Sequence, residues 1–123
     1  MATFAVSVRI DMLRSLGYAS ISSTYAQVGT NTAHRTRMMK ITNNTSGDMF
    51  FAFTSLGSVP ASDGTADNIF IPAGGFTLFD FSSNPGESGQ PFVFQTNTSV
   101  WVRQSSAPTS GAVYVEIVYG KGE

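Results

Sequence analysis

Cysteine is absent, histidine occurs once, and charged residues make up only 12% of the 123-residue chain. The missing cysteines remove thiol nucleophiles, thiolate metal sites and disulfide frameworks together. His34 stands in a polar stretch with no second histidine or paired carboxylate nearby in sequence, so neither a metal cluster nor an acid–base pair can be assembled around it. Serines are plentiful but lack a Gly-x-Ser-x-Gly elbow, and Gly120-Lys121-Gly122 lacks the upstream glycine of a phosphate loop. No apolar run approaches the length of a membrane span, and Arg9, Asp11 and Arg14 interrupt the pattern a signal peptide would need. The expectation is a protein with no catalytic residues, no cofactor, no metal and no membrane partner.

What is present is core material. Hydrophobic residues make up 41% of the chain, including ten Phe, four Tyr and one Trp, which is enough for one domain. The formal charge is −1 but unevenly spread. Residues 1–40 hold five cations (Arg9, Arg14, Arg35, Arg37, Lys40) against Asp11, a local +4, while residues 41–123 hold two cations against seven anions, a local −5. An acidic chain lacks the basic footprint of a nucleic-acid binder. The asymmetry suits head-to-tail contact between a basic N-terminal segment and the acidic body of a neighbour.

From about residue 20 onward, short runs of β-branched and aromatic residues alternate with clusters of Gly, Asn, Ser, Thr and Pro. Residues 3–12 show period two, with Phe4, Val6, Val8, Ile10 and Met12 on one side. Arg37, Met39 and Ile41 alternate up to a turn at Asn43-Asn44-Thr45-Ser46-Gly47-Asp48, where glycine supplies a left-handed conformation, and Met49, Phe51 and Phe53 follow, which reads as a hairpin. Short strands are expected at Ile69-Phe70-Ile71, from Phe76 to Phe81 and at Phe92-Val93-Phe94-Gln95, separated by loops over residues 54–68 and 82–91. Val100-Trp101-Val102-Arg103 and the run from Ala112 to Gly120 read as a terminal hairpin with a long loop.

This spacing predicts an all-β, antiparallel β-sandwich, jelly-roll-like, of seven to eight short strands, with residues 1–16 as an extended N-terminal arm and residues 17–123 as one domain. Alternation selects Met39, Ile41, Phe51, Phe53, Phe79, Val100, Val102, Val113, Val115 and Ile117 as its core. Asp63-Gly64-Thr65-Ala66-Asp67 offers two carboxylates that suit a solvated turn better than calcium, which needs six to eight oxygens. The Asn-x-Ser/Thr triplets at Asn43, Asn44 and Asn97 read as turn chemistry. Trp101, Tyr114 and Tyr119 are able to stack on bases or sugars, although aromatics on alternating strands more commonly serve core or interface.

Taken in order, Val28-Gly29-Thr30, Arg35 through Thr45, Asp48-Met49-Phe50-Phe51, Asp67 through Phe76 and the closing run Pro108 through Gly120 resemble small virion structural proteins of tailed bacteriophages. The resemblance covers about residues 16–120. It implies a virion component of β-sandwich fold that self-associates or packs against portal, tail or major capsid protein. A place in the head-to-tail or tail region is expected, with capsid decoration as the alternative and a host glycan-binding module as a third reading. The candidate assembly contacts are Phe4, Val6, Val8, Arg9, Ile10 and Arg14, in an arm that leaves its own sandwich to pair with a neighbour.

Overall fold

The structure, a computed structural model, describes residues 8–65, 67–80 and 94–120. Among these residues the strands are β1 (Val8–Ile10), β2 (Arg14–Gly17), β3 (Ala26–Gln27), β4 (Thr36–Thr45), β5 (Met49–Ser55), β6 (Ile69–Ile71), β7 (Phe76–Asp80), β8 (Thr98–Gln104) and β9 (Gly111–Gly120). A 3₁₀ turn at Tyr18–Ser20 is the only helical element among them. One antiparallel sheet has the order β1-β9-β4-β7, with β2 also on β9; the other has the order β3-β8-β5-β6. Counting β1 and β2 as one interrupted edge strand, these are the two four-stranded sheets of a jelly roll.

Most successive strands therefore change sheets, and two expected hairpins do not form. β4 pairs with β7 and β9 while β5 pairs with β6 and β8. Likewise β8 and β9 lie in different sheets. Period-two alternation fixes which residues point inward but leaves open which strand lies alongside. Residues 46–48 and 105–110 are corners between the sheets, and they brace each other. Asp48 N donates to Ser106 Oγ at 2.8 Å, Ser105 N to the Asp48 carbonyl at 2.8 Å, and Thr109 N to Ser46 Oγ at 2.7 Å. Gly47 is required for space rather than for a left-handed backbone, since a Cβ there would collide with the Ser106 carbonyl. At the other corner Gly111 has φ of 90°, and a Cβ there would collide with the Asn44 carbonyl.

The N-terminal segment also departs from expectation. From Val8 onward it lies along its own sheet: Val8 pairs with Gly120 and Ile10 with Val118, then Arg14 pairs with Val115 and Gly17 with Ala112. β9 is long enough to hold β1 and β2 end to end on one edge while β4 takes the other.

Between the sheets lie Met39, Ile41, Phe51, Val100, Val102, Val113, Val115 and Ile117, all buried, with Phe53 and Phe79 packed against them. Ile21, Val28, Met49 and Ile71 complete the cluster. Phe94 joins Phe53 and Phe79 in an aromatic trio, with centroids 4.7 Å and 5.6 Å from it.

One polar side chain also lies fully within this layer. Asn43, inward on β4, donates from Nδ2 to the Ile71 carbonyl at 3.0 Å and to the Gly47 carbonyl at 2.9 Å. Its Oδ1 accepts from Thr45 N at 3.1 Å and Thr45 Oγ1 at 2.6 Å. Its backbone carbonyl accepts from Gly74 N at 2.8 Å, and its own N–H donates to the Gly75 carbonyl at 2.9 Å. The side-chain amide thus ties β4 in one sheet to β6 in the other and to the turn at Gly47, and the backbone of the same residue holds the turn at Gly74 and Gly75. Removing the amide takes the side-chain donor from the Ile71 carbonyl and the acceptor from Thr45 N–H, at about 1–3 kcal/mol each before relaxation, while Thr45 Oγ1 still serves the Gly47 carbonyl. Asn43→Ala is expected to lower unfolding free energy by about 2–4 kcal/mol, whereas exposed Asn44→Ala stays within about 0.5 kcal/mol; urea denaturation of both variants measures the difference.

Candidate assembly surface

The pairing register dictates what the outside of each sheet displays. Across β1-β9-β4-β7 three rows face outward: Ile10, Val118, Met38 and Asp80; then Glu116, Lys40 and Leu78; then Ser15, Tyr114, Thr42 and Phe76. Ile10 is 81% exposed, Phe76 62% and Leu78 50%. Lys40 and Glu116 face each other across β4 and β9, but Lys40 Nζ lies 5.0 Å from the centre of the Phe76 ring. Glu116 stands exposed in the middle of the face.

The opposite face, outside β3-β8-β5-β6, is half covered. Tyr25, Ala52 and Trp101 form a buried cluster there, and the β5–β6 segment closes over it through a bond from Tyr25 N to Ser62 Oγ at 3.0 Å. Trp101 Nε1 donates to Thr54 Oγ1 at 2.7 Å. Beside the cover, Arg103 lies over Phe50 at 4.5 Å and over Tyr25 at 5.5 Å. Phe70, 47% exposed, meets Phe50 at 5.5 Å. The Arg103 Nε is shielded from solvent without a hydrogen-bond partner.

The six expected contact residues fare differently. Phe4 and Val6 lie outside the described residues, and Val8 contributes a backbone pair to Gly120. Arg9 and Ile10 are exposed, with Ile10 on the open face beside Val118. Arg14 is no surface contact. It is 4% exposed, with Nε donating to the Thr30 carbonyl at 2.9 Å, further bonds to the Asn31 and Met12 carbonyls, and an ion pair to Asp11 at 3.3 Å. Its alkyl stem lies against Gly29, whose φ of 72° and lack of a Cβ make room for it.

Other residues singled out from sequence find structural uses. The Asp63 carboxylate accepts from Thr65 Oγ1 at 2.6 Å and Thr65 N at 3.0 Å, which holds its pKa below the ordinary carboxylate range and closes a turn. Among the described residues, no three His, Asp or Glu side chains come together as metal ligands. His34 stacks on Tyr119 with centroids 3.9 Å apart. Trp101 is 6% exposed, so its ring is closed to a sugar, while Tyr114 belongs to the open face. Asn97 has φ of 64°, the left-handed turn position its residue type favours, whereas Asn43 is the buried tie described above. The Arg103 platform escaped sequence reasoning, because Tyr25, Phe50 and Arg103 converge only through the register of β3, β5 and β8.

Truncating Arg14 removes several charge-assisted bonds and leaves the carbonyls of Thr30 and Asn31 without their donor. Arg14→Ala is expected to cost about 2–4 kcal/mol of stability, against about 0.5 kcal/mol or less for exposed Arg9→Ala, as read from thermal and urea unfolding.

No protein-family model matches the chain, and no curated protein matches it in sequence. Among solved structures, a subunit from the Bacillus endospore appendages, described as a novel family of disulfide-linked pili, is similar over 93% of this chain and 88% of its own, at 16% identity and a TM-score of 0.54. The Dit protein of phage SPP1, described as a hub adsorption apparatus protein of Gram-positive infecting phages, is aligned over 91% of this chain and 49% of its own, at 7% identity and a TM-score of 0.38. The first likeness is one of fold; the second is fainter still.

Proposed function

We propose that this chain is a non-enzymatic structural protein of a bacteriophage particle, at the head-to-tail or tail region, where several copies pack against one another and against portal, tail or major capsid protein. The observation that carries the structural part of this reading is the open face of β1-β9-β4-β7, which presents Ile10, Val118, Met38, Leu78, Tyr114 and Phe76 around Lys40 and Glu116. Contiguous apolar surface of this kind is a liability on a free monomer and becomes a contact when covered. The phage assignment comes from the resemblance of residues 16–120 to virion proteins. A like fold serves in pili described as disulfide-linked, but this chain has no cysteine, so disulfides cannot join its copies.

Ile10, exposed beside Val118, extends that contact surface in this reading, while Arg9, opposite Tyr119, has the other parity on β1. Arg14 is left out because its guanidinium is spent inside the domain. Phe76→Asp and Leu78→Asp alter exposed side chains only, so the melting temperature is expected to hold within about 2–4 °C. Incorporation into particles, measured by quantitative mass spectrometry of virions complemented with each variant, is expected to fall at least tenfold. Undiminished incorporation of both variants, or absence of the wild-type chain from purified particles, overturns the reading. Copy number from the same measurement separates a tail or neck ring, at about a dozen copies, from lattice decoration, at hundreds.

A further inference from the structure

The two outer faces carry opposite charges that lack a partner of the other sign. Among the described residues, neither Glu116 on one face nor Arg103 on the other takes part in an ion pair. Glu116 stands between Tyr114 and Val118 on β9, and the cation across from it, Lys40, is engaged with Phe76. Arg103 is held flat over Phe50 and close to Tyr25, with its Nε shielded and unsatisfied. A guanidinium fixed on aromatic rings has already lost much of its rotamer freedom, and its planar fork matches a carboxylate.

We infer that copies of this chain associate head to tail, the open face of β1-β9-β4-β7 in one copy seating on the Phe50-Phe70-Arg103 platform of the next so that Glu116 pairs with Arg103. This rests on the multi-copy reading above and names its contact. A two-fold arrangement of the open face on itself would set Glu116 against a Lys40 already placed over a ring and leave Arg103 unused. The head-to-tail arrangement uses both charges and covers the exposed apolar side chains of both faces, Phe76 and Leu78 on one and Phe70 on the other. Because the two faces lie on opposite sides of the sandwich, the contact is heterologous and repeats, closing into a ring or running on as a row according to the rotation per copy.

Charge reversal tests it. Sedimentation velocity over a concentration series is expected to show wild-type self-association. Arg103→Glu and Glu116→Arg, each folded by circular dichroism, are each expected to weaken it at least tenfold, since like charges then meet at the contact. Mixing the two single variants in equal amounts is expected to restore association, because opposite charges meet at every contact when the two alternate. The reversed position 103 of one variant then faces the reversed position 116 of the other, and at the next contact the two unaltered side chains face each other. The double variant is expected to associate alone. A wild-type chain that stays monomeric to millimolar concentration, single variants that associate as wild type, or a mixture that gains nothing over its components each overturns the inference. Failure here with wild-type incorporation into particles intact leaves the virion reading standing and removes only this contact.

Discussion

The buried amide of Asn43 is the constraint on which much else depends. Burial of apolar surface is non-directional and leaves two sheets more freedom of relative placement than a hydrogen bond does. Asn43 removes that freedom. Its two N–H groups reach one carbonyl in the facing sheet and one in the corner, and its oxygen accepts two hydrogens from Thr45, so every bonding capacity of the side chain is met. A group this deep is tolerated only with such complete satisfaction, and the requirement sets where β6 lies against β4. The Pro72–Gly75 turn is fixed by the same residue's backbone.

With the sheets locked, the corners at residues 46–48 and 105–110 determine how the chain passes between them, and the outside faces follow. Inward positions are mainly apolar on both sheets, while outward positions differ. One face is open and mixed apolar; the other is partly roofed by the β5–β6 segment and carries a guanidinium over aromatic rings. Arg14 does the corresponding work at the sheet edge, anchoring β2 to the loop at Thr30 and Asn31 rather than reaching outward. A surface low in charge therefore has two sides of distinct chemistry.

Much of the inward pattern was legible from the chain, because Met39 and Ile41, or Val113, Val115 and Ile117, obey a period of two that survives whichever strand lies beside them. The partner strand was not legible. Asn43-Asn44-Thr45 reads locally as a turn, and only the facing carbonyl of Ile71, far along the chain, makes Asn43 a core residue within β4. Arg14 shares sequence parity with Leu16, which packs on the core, yet a lone arginine in a basic segment reads as surface until the carbonyls it binds are placed. Arg9 and Ile10 lie exposed on β1, whereas the Arg103 platform depends on three strands arriving in register.

The position of β9 bears on how the chain acquires its shape. This strand holds β1 and β2 along one edge and β4 along the other, so residues near 10, near 40 and near 115 must all meet before the sheet is complete. Closing loops of that length costs entropy that local contacts do not offset, and topologies of this kind fold over milliseconds to seconds. During synthesis, β2 and β4 emerge well before the strand that separates them. Until residues 111–120 leave the ribosome, the edges of β2 and β4 that flank β9 lack their strand partner, so this sheet is the later of the two to be completed.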